Sequence, residues 1–421
     1  MSRESGGARP DRPAPVTRKS VAREAVTHTM SVPDPQAPPA HVDRLIVHQF
    51  DPARSSPGGI DTCLRGMCRY LPEGGEVAVV GVDTGVGHPG RALGRWERHD
   101  LGDGRPFWFL PVAALDPAEG ARRVPHSVRL MAGLARFRGR LPHAGIVQVH
   151  GLNSALALKL LVRRPQAYFI HTQEQGLTGS TSDSFWRFTG DAHGVLERRT
   201  VGAAADVVVF NEEYAGVVRG WNPRARFSPT WFDPALITDR PDAERDPHQV
   251  IWVGRLEVPK DPALAVEAFA ALVDTDPEQP WKLDLLGQGT MLEQVRAQVD
   301  GLHPSIAGRI SVPGRVAPRE VADRMGAAGV FLMTSHPGYE GYPRVLVEAM
   351  ASGLPSVVTD GSDTGGLVVD GVTGWVCGRD PQELAGRVLE AAHLDRARVR
   401  AAVADKSAPV LIERIYDVTA A

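Results

Sequence analysis

The sequence predicts an α/β protein of two Rossmann-like, doubly wound domains facing each other across a cleft. Three observations carry this. Apolar strand-like runs alternate with helical stretches, the pattern restarts after a Pro- and Asp-rich connector, and 421 residues exceed what one ordinary core holds. Apolar residues make up 43% and charged residues 23%, as in a typical globular chain. A formal net charge of -3 lacks the basic excess of a nucleic-acid binder, so no nucleic-acid partner is expected. Cys63, Cys68 and Cys377 are too few and too scattered for a disulfide framework or a zinc site, and Cys63 and Cys68 read as buried thiols of one helix. No apolar run approaches the ~20 residues of a membrane span, and the N-terminus has no apolar signal-peptide core. The expectation is a cytoplasmic protein.

Residues 1–40, rich in Pro, Arg, Ala and Ser, cannot bury enough apolar area to offset their ordering entropy. They read as a disordered extension, with Met30 as an alternative start. A first domain is expected over 41–232. It opens on the buried run Leu45-Ile46-Val47, followed by a loop with Pro57-Gly58-Gly59 and a helix over 60–70. Strands are expected over 77–82, 107–110, 146–150, 167–171 and 206–210, with a basic helix over 127–141. The connector is 233–248. The second domain, 249–400, alternates strands over 249–253, 282–286, 310–312, 330–333 and 356–359 with helices over 262–274, 290–300, 318–326 and 343–352. Residues 401–421 read as a C-terminal helix, with packing back on the first domain as one arrangement.

The strongest chemical signal is Glu340-Gly-Tyr-Pro-Arg-Val-Leu-Val-Glu348, continuing to Gly353-Leu-Pro355. Pro343 suits a first helical position and Gly353 a position just past the helix end. Glu340 then lies before the helix and Glu348 in its second turn. The free amides around Tyr342 to Val345, with the positive dipole end, suit an anion. Two carboxylates beside an anion site suit a sugar diphosphate, because carboxylates take hydroxyls and amides or cations take phosphate. Dipole compensation alone also places carboxylates at helix starts. The second signal is Gly254-Arg255-Leu-Glu-Val-Pro-Lys260, which leaves the C-terminal end of a strand where open α/β sheets bind ligands. Arg255 offers a planar fork to phosphate and Lys260 a point charge. The chain holds only five lysines, so one placed here carries weight.

These motifs resemble the retaining glycosyltransferases of family 4, which have the two-domain GT-B fold. The likeness runs over about 250–389 and includes Gly254-Arg-Leu, Lys260, Leu286-Gly-Gln-Gly289, Pro313-Gly-Arg315-Val316, Met333-Thr-Ser335, the Glu340 to Glu348 string and Asp370-Gly-Val-Thr-Gly-Trp-Val376. It implies a nucleoside-diphosphate sugar as co-substrate, with UDP as the expected carrier, and no cofactor or metal. It also implies that Glu348 takes ribose hydroxyls, Glu340 takes sugar hydroxyls, and Arg255 and Lys260 hold the diphosphate. Gly341, Tyr342, Arg344 and Val345 line the anion bed, while Arg315 and Val316 sit at the base-binding edge. In the first half, Gly58 and Gly59 resemble the family's glycine-rich loop. His150 and His171 end strands at the cleft, and His171 is the better match to the histidine beside the transferred sugar.

Two departures stand out. Gly366 lies where the family often has glutamate, and Thr230-Trp231-Phe232-Asp233 replaces an interdomain Asn-Gly. The acceptor is expected to be a small molecule, a glycan or a lipid-linked group. The segment 122–140, with Arg122, Arg123, Arg129, Arg136, Arg138 and Arg140, reads either as a solvated helix face or as a surface for an anionic membrane at the inner face. A GT-B sugar-nucleotide epimerase and an inactive sugar-nucleotide-binding partner subunit are the alternatives to a transferase.

Overall fold

The computed structural model describes residues 40–56, 59–102, 105–115, 126–171, 190–238 and 240–417. Apart from Ala40, the expected N-terminal extension lies outside the described residues.

The first sheet contains β1 (His41–Val47), β2 (Val77–Asp83), β3 (Glu97–His99), β4 (Phe107–Ala114), β5 (His143–Val149), β6 (Gln166–Ile170), β7 (Asp206–Val209) and β8 (Ala225–Phe227). Their order is β3-β4-β2-β1-β5-β6-β7-β8, and all pairs are parallel except β3 with β4. The second sheet contains β9 (Gln249–Val253), β10 (Lys282–Leu286), β11 (Ile310–Gly314), β12 (Val330–Met333), β13 (Ser356–Thr359) and β14 (Gly374–Cys377). Its order, β11-β10-β9-β12-β13-β14, is parallel throughout.

A parallel sheet covered on both faces needs apolar residues on both, which is why these strands read as continuous apolar runs. Leu45 and Val47 join one core cluster and Ile46 the opposite one. In β12, Val330 and Leu332 face one way while Phe331 and Met333 face the other. β3 carries Glu-Arg-His and gives no apolar signal, as befits an edge strand. β4 runs further than its first four residues suggest and includes Pro111. Pro111 is tolerated because β3 pairs only as far as Phe109, so no donor is needed from it.

The helix His126–Phe137 buries Leu130, Gly133 and Leu134, and Met131 and Phe137 pack against the same core. Gly133 is required because a Cβ there would come within 2.1 Å of the Val112 carbonyl oxygen. The apolar side expected to meet a membrane is therefore used inside the first domain. Arg136 and Arg140 stack on Phe137, and Arg122 and Arg123 lie outside the described residues. No helix among the described residues is long and apolar enough to cross a membrane.

The helix Ala408–Tyr416 lies on the first domain, where Leu411, Ile412 and Ile415 share a core cluster with Cys63, Met67, Phe169, Phe210 and Trp231. Arg226 donates to the carbonyls of Arg414 and Ile415, 2.7 Å each, so a cation meets the negative end of the helix.

Candidate functional site

Each sheet begins in its middle. The chain leaves β1 toward β2 and β4, then returns to lay down β5 on the other side; β9 and β12 stand in the same relation. At such a switch point the loops after the two strands diverge and leave a crevice at their C-terminal ends. Arg255, Lys260, Glu340, His150 and His171, singled out in the sequence, fall at these two places.

In the second domain, Arg255 and Lys260 follow β9, while Ser335 and Glu340 follow β12. Glu340 is buried, and its Oε1 receives both the Lys260 ammonium and the Ser335 hydroxyl, the latter at 2.7 Å. Thr334 locks the two loops together. Its hydroxyl lies 3.0 and 2.7 Å from the carbonyls of Lys260 and Asp261 and accepts from the Trp252 indole at 2.9 Å. Arg379 braces the same corner, donating to the carbonyls of Thr334 and Ser335 and pairing with Asp261. The exposed Arg255 guanidinium donates to the Tyr339 hydroxyl, and the Lys260 ammonium lies 5.7 Å from the Tyr339 ring centre.

The glycines of Leu286-Gly-Gln-Gly289 serve packing of this corner. A Cβ at Gly287 would sit 1.7 Å from the Gly254 carbonyl oxygen, and one at Gly289 2.2 Å from that of Leu256. Only bare backbone lets the β10 loop press against the Arg255 loop.

The helix of the glutamate string runs Arg344–Ala351, so Pro343 is its N-cap and not its first helical residue. Both Leu346 and Val347 amides turn to the Pro343 carbonyl, which leaves the Arg344 and Val345 amides outside the helix's own ladder. The side chains of this stretch point elsewhere. Tyr342 is buried and packs on Phe227, ring centres 5.8 Å apart, while Val345 and Val316 pack on the second-domain core. Arg344 donates to the Trp231 carbonyl at 3.0 Å and lies over the Trp231 ring. Any part that Tyr342, Arg344 and Val345 take in anion binding falls to their backbone. Glu348 is half-buried, and burial pushes its carboxyl up to about 7, with Arg344 opposing and Asp233 adding to the shift.

In the first domain, His48 follows β1, His150 follows β5 and His171 follows β6. Nδ1 of His150 lies 2.7 Å from Nε2 of His171, and the two rings meet edge to edge, 23° from coplanar, with centres 5.0 Å apart. A face of the His171 ring stacks on Phe210 at 4.7 Å. Burial pulls the imidazole of His48 down to about 4, that of His171 to about 3 and that of His150 well below its usual range. At neutral pH all three rings are uncharged.

The two switch points touch at Gly341. A Cβ there would come within 2.5 Å of the His171 carbonyl oxygen, and the Gly341 carbonyl accepts from Asn211 at 2.9 Å and Thr364 at 2.8 Å. Asn211, which also caps the helix Glu212–Arg219, and Thr364 gave no signal in the sequence. Tyr339 could have been noticed as the immediate neighbour of Glu340.

Other expected residues lie further out. Gly58 is outside the described residues, and Gly59 opens the helix Gly59–Arg69 instead of forming part of the loop. Arg315 donates to the Ser55 carbonyl at 2.9 Å, so the expected base-binding edge touches the loop that precedes these glycines. Gly366 has a φ of 58° with nothing within 4 Å of an added Cβ, so the place of the family's glutamate is open space. The surrounding turn is built on Asp363, whose carboxylate receives the amides of Gly365 at 3.1 Å and Val368 at 2.7 Å. Trp231, in the segment replacing Asn-Gly, is 1% exposed, and Asp233 receives Arg69 at 3.1 Å together with the Tyr70 hydroxyl.

Residues 247–393 match the family described as glycosyl transferases group 1. The second domain belongs to this family. Among curated proteins, mannosylfructose-phosphate synthase of Agrobacterium fabrum is 32% identical over 116 residues, covering 26% of this chain and 25% of that one. D-inositol 3-phosphate glycosyltransferase of Frankia alni is 32% identical over 188 residues, covering 42% of this chain and 45% of that one. The match thus spans less than half the length of either relative. Among solved structures, Anabaena HepE in complex with UDP-glucose aligns over 90% of this chain and 99% of that one, with a TM-score of 0.64 and 17% identity. At that identity the likeness establishes the architecture: the chain has the GT-B fold. Within the matched range, Arg255, Lys260 and Glu340 follow the two strands of the switch point, and Glu348 lies in the second turn of the helix that comes next.

Proposed function

We propose that the protein is a retaining glycosyltransferase that moves a sugar from a nucleoside diphosphate, with UDP as the carrier, to an acceptor hydroxyl. The observation that carries this reading is the grouping of Arg255, Lys260, Tyr339 and Glu340 at the second switch point, against the His171 end of the first. Breaking the bond between the anomeric carbon and the diphosphate oxygen leaves extra negative charge on the departing group. Lys260 has three N–H donors and can hold Glu340 and a phosphate oxygen together, while Arg255 is exposed and within reach of the same anion. The acceptor oxygen bonds to the anomeric carbon on the face the diphosphate leaves, and its proton passes to a diphosphate oxygen. Glu348 faces the ribose and Glu340 the sugar. The UDP-glucose held by Anabaena HepE supports the choice of carrier. A membrane-bound acceptor draws no support from the helix His126–Phe137, whose Leu130, Met131, Leu134 and Phe137 pack on the core.

A panel of nucleotide sugars tests the reading. The matching donor at about 100 times its dissociation constant adds ~2.7 kcal/mol, visible as a rise in Tm. Product NMR should then show the donor's anomeric configuration kept. No stabilisation by any nucleoside diphosphate or its sugars would overturn the proposal.

A further inference from the structure

We propose that Arg44, Gln148 and His150 form a one-way hydrogen-bond relay that places the ring proton of His171 on Nδ1 and offers that N–H to the bound substrates. The proton's placement stands on geometry alone; its use by substrates rests on the transferase reading.

The direction follows from what each group can do. Arg44, 2% exposed, carries only donors, and its Nη1 lies 2.9 Å from Oε1 of Gln148. Flipping the Gln148 amide would set donor against donor, so Nε2 must face away from Arg44. Its two hydrogens have two takers, Sδ of Met67 at 3.3 Å and Nε2 of His150 at 2.8 Å. His150 Nε2 therefore presents a lone pair. An imidazole keeps at least one proton, so the His150 proton is on Nδ1 and is donated to His171 Nε2. His171 Nε2 is then an acceptor, and its proton sits on Nδ1. The reverse arrangement would leave His150 as an imidazolate. A doubly protonated His171 would oppose two N–H groups across 2.7 Å.

Every dipole in this chain turns its negative end toward the Arg44 cation and its N–H toward the cleft. The charge of a buried arginine is thereby felt at His171 without the ring becoming charged. Arg44 is in turn anchored by the C-terminal helix, through the Ile415 carbonyl at 3.5 Å and the Tyr416 ring at 4.7 Å. Its hydrogen-bond partners on the relay and on the helix are both neutral, and Asp206, the carboxylate that acts on it, is itself paired with Arg226. Among the described residues His171 Nδ1 has no hydrogen-bond partner, and the residue sits where Gly341 brings the second domain in.

The test is long-range proton–nitrogen NMR on the full chain labelled with 15N-histidine, at pH 7. His150 and His171 should both show a protonated Nδ1 and a bare Nε2. Gln148→Glu should invert both rings, because a carboxylate only accepts and so calls the His150 proton to Nε2. That variant should lose at least tenfold in kcat with donor KM within twofold. Should it fail to fold, Arg44→Met replaces it: with the amide free to turn, His171 should show both tautomers. A wild-type His171 protonated on Nε2, or one whose tautomer is the same in the variant, overturns the relay. The expected spectra without any sugar transfer would leave the relay standing and sink the transferase reading instead.

Discussion

The two switch points meet at Gly341 yet use opposite electrostatics. On the second-domain side, charged groups sit on loops: Arg255 exposed, Lys260 paired with Glu340, and Tyr339 between the cations. On the first-domain side, three uncharged histidines cluster in the interior, and the charge that orders the relay is Arg44, three side chains back from the cleft. Loop-borne full charge suits an anion that arrives and leaves. Fixed dipoles suit a group whose job is to hold one orientation during the reaction. The largest effect is therefore expected on the charged side. Lys260→Ala and Arg255→Ala should each cut kcat by roughly 10²–10³-fold with modest change in donor KM, since diphosphate charge grows toward the transition state. Steady-state kinetics showing only a raised KM would break the comparison.

The same contrast explains what could be read from the residues alone. The Arg255 to Lys260 run and the Glu340 to Glu348 string are each continuous, and their strand–loop–helix setting follows from local periodicity, so the charged side was legible. The neutral side is assembled from residues 44, 148, 150 and 171, four separate places on three strands, plus a carbonyl from the last helix. Arg44 near the start of a strand looks like an exposed edge residue until the C-terminal helix covers it. The Lys260–Glu340 pairing, which gives two residues read as independent a shared role, likewise needs tertiary structure. Among the elements, β3 was hidden by its charged composition and β8 by its length of three residues.

Glu348 lies between these extremes, a carboxyl held at about 7 mainly by burial. Its raised value fixes the sign of two pH effects. The folded protein prefers the neutral acid, so ionising Glu348 costs stability, and the cost grows from the unfolded carboxyl value near 4.5 until it is complete above about 7. Glu348→Gln should raise Tm of the ligand-free protein at pH 8 and much less at pH 5. Ribose hydroxyls, by contrast, favour the ionised form. Nucleoside diphosphate affinity should therefore fall as pH drops below about 7 and level off where the neutral Glu348→Gln stands, roughly 1.5–3 kcal/mol weaker, while the variant shows only the ligand's own pH dependence. Parallel pH profiles for the two proteins in calorimetric titration would detach Glu348 from the nucleotide.

The smallest binding effect, and the sharpest discrimination, is expected at Glu340. Its carboxylate holds Lys260 and Ser335, so part of the lysine's attraction for a phosphate is already taken up. Glu340→Gln keeps the shape and removes the competing charge. Nucleoside diphosphate affinity should stay level or rise by a few-fold. Turnover should fall all the same, because the proposed function puts Glu340 against the sugar and has it hold Lys260 toward the departing diphosphate. The pairing makes this outcome different from that of any residue that touches the nucleotide directly. Calorimetry with the bare diphosphate, beside kinetics with the full donor, separates the two. If Glu340→Gln lost diphosphate affinity as strongly as Glu348→Gln, the sugar would lie elsewhere, and the Lys260–Glu340 pair would be a support for the nucleotide alone.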